Sequence, residues 1–386
     1  MRFILSAAVA VALAVASLGT PVKMLTVESF AGQTKPNSFI VTLKPGVSKD
    51  LHLQQNSLIS SAITHPEWET DFLHGFAGTF NQTQLDALRA SGDVLRIEEN
   101  GIMTTAPWGL ARLSSRTPLT GSATALNFTF RFDSTAGRGV DIFIVDTGIN
   151  TAHQDFGGRA TFATSFGGLP RTDDNGHGSH VAGTAVGTRF GVAKAANVHA
   201  VKVLNSAGSG SVADIVSGLN FVLTQARSSG RPTIASMSLG GGASTALDNA
   251  VASLTAGGVH VTVAAGNDNA NAANSSPARA PSAITVVSCI ADARASFSNF
   301  GASVDVFAPG STVTSAWIGS TTATNTISGY VFSATPHIAG LVAYLIGLNG
   351  NVSPATMAAN IRAMGLSGVL SGIPSGTTNT LAHNGQ

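Results

Sequence analysis

The 386-residue chain has one cysteine, two tyrosines and three tryptophans, and only 11% of its residues are charged. A single thiol, Cys289, excludes an intrachain disulfide and any metal site built from several cysteines. Its apolar neighbourhood reads it as a small buried hydrophobe. A formal net charge of +1 supplies no field to gather nucleic acid or an anionic membrane, so neither is an expected partner. Long apolar runs are equally scarce. The run Phe3–Leu18 follows Arg2, lacks a basic stop-transfer flank and is short for a membrane span, which is secretory-signal chemistry. Cleavage is expected after Ala14-Val15-Ala16, so residues 1–16 leave and a secreted, membrane-free product remains. Triplets at Asn81, Asn127, Asn274 and Asn351 are glycan acceptors in such a product.

What the chain has in quantity is glycine, 43 residues, which suits a tightly turned α/β core. Residues 36–104 read as a small α+β unit. Strands are expected at Ser38–Leu43, Phe76–Phe80 and Val94–Met103, with helices over Val47–Ile63 and from an Asn81 cap to Leu88. Beyond it, strand-like runs at Val140–Val145, Val198–Val203, Ile234–Leu239, Val259–Ala264 and Ile284–Val287 alternate with helical ones. Those helices are His177–Val186, Ser211–Ala226, Thr245–Ala256 and Ser333–Leu348. Alternation of this kind predicts a doubly wound parallel sheet with helices on both faces, and a site beyond the carboxyl ends of its strands. The last helix organises the rest. It is apolar on every side, so it is buried, and Pro336 suits its first turn.

Candidate chemistry falls at the expected places. Asp146 ends the first long strand in Val-Asp-Thr-Gly-Ile-Asn, where backbone donors can hold a carboxylate rigid. An aspartic protease needs two Asp-Thr-Gly carboxylates sharing a proton, and the chain has one. His177, between Gly176 and Gly178, opens a helix, and His180 lies three residues on. A zinc pair there lacks the His-Glu-x-x-His glutamate and any cysteine, so His180 reads as a core histidine. Asn267 follows a strand and a glycine, where its amide can donate to an oxyanion. The order Asp146, His177, then a serine-rich helix start is one known order of a catalytic triad.

Several long segments carry a resemblance. FIVTLKPGVS and GFAGTFNQTQLDALRASGDVLRIEENGIM in the first unit resemble a subtilase propeptide. GVAKAANVHAVKVLNSAGSGSVADIVSGLNFV, SMSLGGGAS and ASFSNFGASVDVFAPG, with the motifs above, resemble fungal subtilases of the proteinase K type. The resemblance implies a propeptide over 17–105 that chaperones and inhibits its own peptidase domain, residues 106–386. It implies a monomeric serine endopeptidase of broad, apolar-leaning specificity, acting on protein and peptide substrates. Asp146 would orient His177, His177 would serve as base and then acid, and Asn267 would hold the oxyanion. Ser209-Gly210 and Ser238-Leu239-Gly240-Gly241 would be backbone edges that pair with an extended substrate. No cofactor is required for the chemistry. A structural calcium is implied on the carbonyls of Pro281 and Ala283 with the Asp292 carboxylate.

The nucleophile segment departs from the family. Where the family reads Ser-Gly-Thr-Ser-Met-Ala-Thr-Pro-His, this chain has Ser328-Gly329-Tyr330-Val331-Phe332-Ser333-Ala334-Thr335-Pro336-His337. Counted back from Pro336, Phe332 holds the nucleophile position. Ser333 is the nearby substitute, one residue late, about 100° round and about 1.5 Å along a helix. The alternative reading is a subtilase homologue that binds peptides without cleaving them. The pentapeptide is also encodable by a string holding both ends of an intron, so an altered splice junction is one origin for it.

Overall fold

The computed structural model describes residues 24–29, 34–65, 73–101, 105–327 and 331–386. They divide into two compact units, the first ending at Gly101. In the first, Thr34–Leu43 pairs antiparallel with both Gly75–Thr79 and Val94–Gly101. Asn81 caps the helix Gln82–Ala90 in a reciprocal capping box with Gln84. The helix expected over Val47–Ile63 is not continuous. It breaks at Asn56 between Lys49–Gln55 and Ser57–Ser60, and Ile63 joins a strand. The strand end expected at Met103 lies outside the described residues.

The second unit is built on a parallel sheet. Its strands run in the spatial order Val306–Pro309, Ile284–Ile290, His260–Ala264, Thr233–Met237, Asp141–Asp146, Asn197–Lys202, Ala160–Ser165. All six of these neighbouring pairs are parallel, and the sheet is extended by Thr380–Leu381, parallel to Val306–Pro309, and by the antiparallel strands Leu366–Ser367 and Ala293–Arg294. Asp141–Asp146 is buried at every residue, as an apolar run in the middle of such a sheet must be. The chain fills one side of that strand with Ala160–Ser165 and Asn197–Lys202, then crosses to the other with Thr233–Met237. The carboxyl end of the Asp146 strand is therefore the switch point of the sheet, where ligands bind.

The central helix runs Thr335–Asn349 and is buried from Thr335 to Ile346. Leu341, Val342 and Tyr344 are fully inaccessible, and a buried side chain of this size stabilises by about 1.5–3 kcal/mol. The helix starts two residues later than the pattern predicts. Val331–Ser333 forms a separate 3₁₀ turn, and Ala334 caps the helix without a side-chain bond. A longer segment ahead of Pro336 is taken up by this tighter turn. Ser333 therefore stands outside the α-helix.

Candidate active site

Two backbone segments meet at the switch point. Asp146 ends its strand, and Gly148, at φ +119°, turns the chain away immediately after it. His177 opens the helix His177–Val186 from a left-handed Gly176, and Asn175 Oδ1 accepts its N–H at 3.1 Å. A Cβ on Gly178 would lie 2.1 Å from the Gly148 carbonyl oxygen, so only glycine lets the two segments touch. The result is a direct bond. His177 Nδ1 donates to Asp146 Oδ1 at 2.8 Å, and Thr147 N donates to the same oxygen at 2.7 Å. Burial works against a charge on the imidazole, but the Asp146 carboxylate outweighs it and holds the His177 pKa above its ordinary value. The carboxylate fixes the tautomer and leaves Nε2 to work as the base.

His177 Nε2 is buried and has no hydrogen-bond partner among the described residues. The Phe332 ring stands perpendicular to the imidazole, with centroids 5.6 Å apart. Ser333 is 2% exposed, and its carbonyl oxygen accepts from His337 Nδ1 at 2.9 Å. The structure thus joins Asp146 to His177 and does not bring Ser333 to them. One added residue has turned an aromatic side chain, not a hydroxyl, toward the base.

The predicted oxyanion and substrate-edge residues line two cavities. One, about 610 Å³, is edged by Ser209, Gly210, Ser238, Leu239, Gly240 and Gly241, and reaches His177. The other, about 370 Å³, holds Asn267 between the walls Gly240–Gly242 and Ala264–Gly266. Both edges expected to pair with an extended chain lie on the same groove. Phe332 and Gly240–Gly242 line both cavities. His180 is a core histidine, as its pattern predicts: Nε2 donates to the Val313 carbonyl at 2.9 Å, and burial pushes its pKa down to about 3.

Asp292, the carboxylate implied as a calcium ligand, is paired with a cationic side chain of the chain itself. Arg112 Nε donates to its Oδ1 at 2.7 Å, and the two side chains are 2% and 12% exposed. A guanidinium already supplies the positive charge that a bound cation would bring to this carboxylate. The carboxylate that reaches the strand following Pro281 and Ala283 is instead Asp305, whose Oδ2 accepts from Thr285 N at 2.8 Å. It is itself paired with Arg362. No group of three or more His, Cys, Asp or Glu side chains is placed to hold a metal among the described residues.

A carboxylate–imidazole couple at the switch point, beside a groove edged by glycine backbone, defines a general-base hydrolase of extended chains. Comparison with known proteins makes the class specific. The subtilase family model matches residues 137–366. The cuticle-degrading protease of Metarhizium anisopliae is 47% identical over 323 residues, 81% of each chain. The subtilisin-like serine protease AsES of Sarocladium strictum is 46% identical over 322 residues, covering 81% of this chain and 80% of that one. A crystal structure of a cold-adapted subtilisin-like serine proteinase matches with a TM-score of 0.65 at 40% identity, over 73% of this chain and 99% of that one. The chain belongs to the subtilase family, and by that membership it is a serine-type endopeptidase.

Proposed function

We propose that this chain is a secreted, monomeric endopeptidase that cuts extended protein and peptide substrates in the groove beside His177. Residues 1–16 direct secretion, and residues 17–105 act as its own propeptide inhibitor until they are removed. The observation that carries the catalytic reading is the 2.8 Å bond from His177 Nδ1 to Asp146 Oδ1, which leaves Nε2 as the nitrogen available to take a proton. In the first step Ser333 Oγ attacks the scissile carbonyl carbon while His177 Nε2 takes the hydroxyl proton. His177 returns that proton to the leaving amine, and water then hydrolyses the acyl-enzyme. Asn267 donates to the oxyanion of each tetrahedral intermediate. Glycine walls and the apolar floor of Leu204, Leu239 and Leu247 favour apolar side chains without selecting one.

Reaching the first step requires the turn Val331–Ser333 to open so that the Phe332 ring leaves His177. A misplacement of about 1 Å costs about 10²-fold in rate, so turnover is slow. The same ring favours a second reading, a homologue that binds peptides and does not cleave them. Fluorophosphonate labelling separates the two. The proposal predicts slow, stoichiometric modification mapped to Ser333 and lost in Ser333→Ala. Protein that binds a substrate peptide yet stays unlabelled would establish the silent homologue.

A further inference from the structure

We propose that Asp173 is the positioning residue of the Asp146–His177 couple, tying the strand end that carries one to the helix start that carries the other. Asp173 is 7% exposed and lies in the loop before His177, whose Nδ1 is bonded to Asp146. Its Oδ1 accepts from Thr147 Oγ1 at 2.9 Å, Gly176 N at 2.9 Å and Asn175 N at 3.1 Å. Its Oδ2 accepts from Ser179 N at 2.9 Å and Ser179 Oγ at 2.6 Å. Thr147 is the residue after Asp146, and Ser179 is two residues after His177. One buried carboxylate therefore holds both segments at once.

Its partners extend the tie. Thr147 Oγ1 accepts from Gly178 N at 2.9 Å, and Ser179 Oγ accepts from Asn150 N at 2.8 Å. Each hydroxyl thus bridges from Asp173 to the opposite segment. Lys202 Nζ donates to the Thr147 carbonyl at 2.6 Å and to Asp174 Oδ1 at 2.6 Å, pinning the same loop from beneath. A carboxylate with five donors is held ionised: burial raises its pKa, and the bonds from Ser179, Gly176 and Asn175 bring it below the ordinary value. That charge also reaches His177. The charged or titratable groups acting on the imidazole are Asp146 at the strand end, Asp173 in the loop and His180 on its own helix. The ring packed on its other side, Phe332, is neutral.

The role rests on Asp146 and His177 being the acid–base couple. It is tested on the imidazole itself, without substrate, so that failure to cleave peptides would not obscure it. The full chain is labelled at histidine for NMR, and the His177 signals are assigned by their loss in His177→Gln. The wild type is expected to show a downfield Nδ1 proton shared with Asp146. Asp173→Asn should weaken that resonance and move the titration midpoint of His177 down. Thr147→Val and Ser179→Ala keep the Asp173 charge and each cut a tie, so they should weaken the resonance even if Asp173→Asn does not fold. Asp141→Asn, at the far end of the same strand, should leave it unchanged. Folded variants of Asp173, Thr147 and Ser179 that all retain the wild-type resonance would overturn the proposal.

Discussion

Replacing Tyr330-Val331-Phe332-Ser333 by Thr-Ser-Met raises kcat/KM on a peptide substrate by at least about 10²-fold. The base is already prepared, because Asp146 holds His177 in the tautomer that leaves Nε2 unprotonated. The groove edges and Asn267 are also in place around it. Among the described residues no oxygen is bonded to Nε2, and the Phe332 ring stands against the imidazole instead. Removing one residue lets the helix take up its first turn directly after Gly329, which returns a hydroxyl to the position now held by Phe332. The exchange should change the rate far more than the stability, because the helix from Thr335 to Ile346 keeps its burial. Assay of both proteins on one chromogenic peptide checks this. Equal rates would mean that the native segment already presents a working hydroxyl.

Arg112→Met should cost about 3–5 kcal/mol of folding stability, the usual effect of leaving one member of a buried ion pair alone. Arg112 Nε to Asp292 Oδ1 is 2.7 Å, and both side chains are nearly closed to water. Asp292 sits at φ +59°, so its replacement by alanine would add backbone strain, whereas Asn tolerates that conformation. The double variant Arg112→Met with Asp292→Asn should recover most of the loss, since no lone buried charge remains. Urea unfolding of the wild type, Arg112→Met, Asp292→Asn and the double variant measures the cycle. Calcium should not rescue Arg112→Met. Recovery of its stability at millimolar calcium would show that Asp292 accepts a cation after all.

How far the sequence could be read differs from residue to residue for physical reasons. Asp146 and His177 were legible because each lies where an apolar pattern ends and a glycine turn begins, a local signal. The parallel sheet was legible from alternation, but the edge strand Ala160–Ser165 was not. It is mostly half-exposed and has no continuous apolar run. The ion pair of Asp292 was not legible because its partner lies 180 residues earlier, beyond any local pattern. The role of Asp173 was not legible because three of its five donors are backbone N–H groups, which composition cannot reveal. The nucleophile segment showed its extra residue plainly. Its outcome, a 3₁₀ turn with Phe332 against the imidazole, depended on packing.

The most direct measurement is the fluorophosphonate labelling rate of Phe332→Ala against that of the wild type. Alanine keeps the chain length and removes only the ring beside His177. If that ring is what separates base from hydroxyl, the variant labels at Ser333 several-fold faster. Identical rates in two folded proteins would contradict the account and place the obstacle elsewhere in the turn.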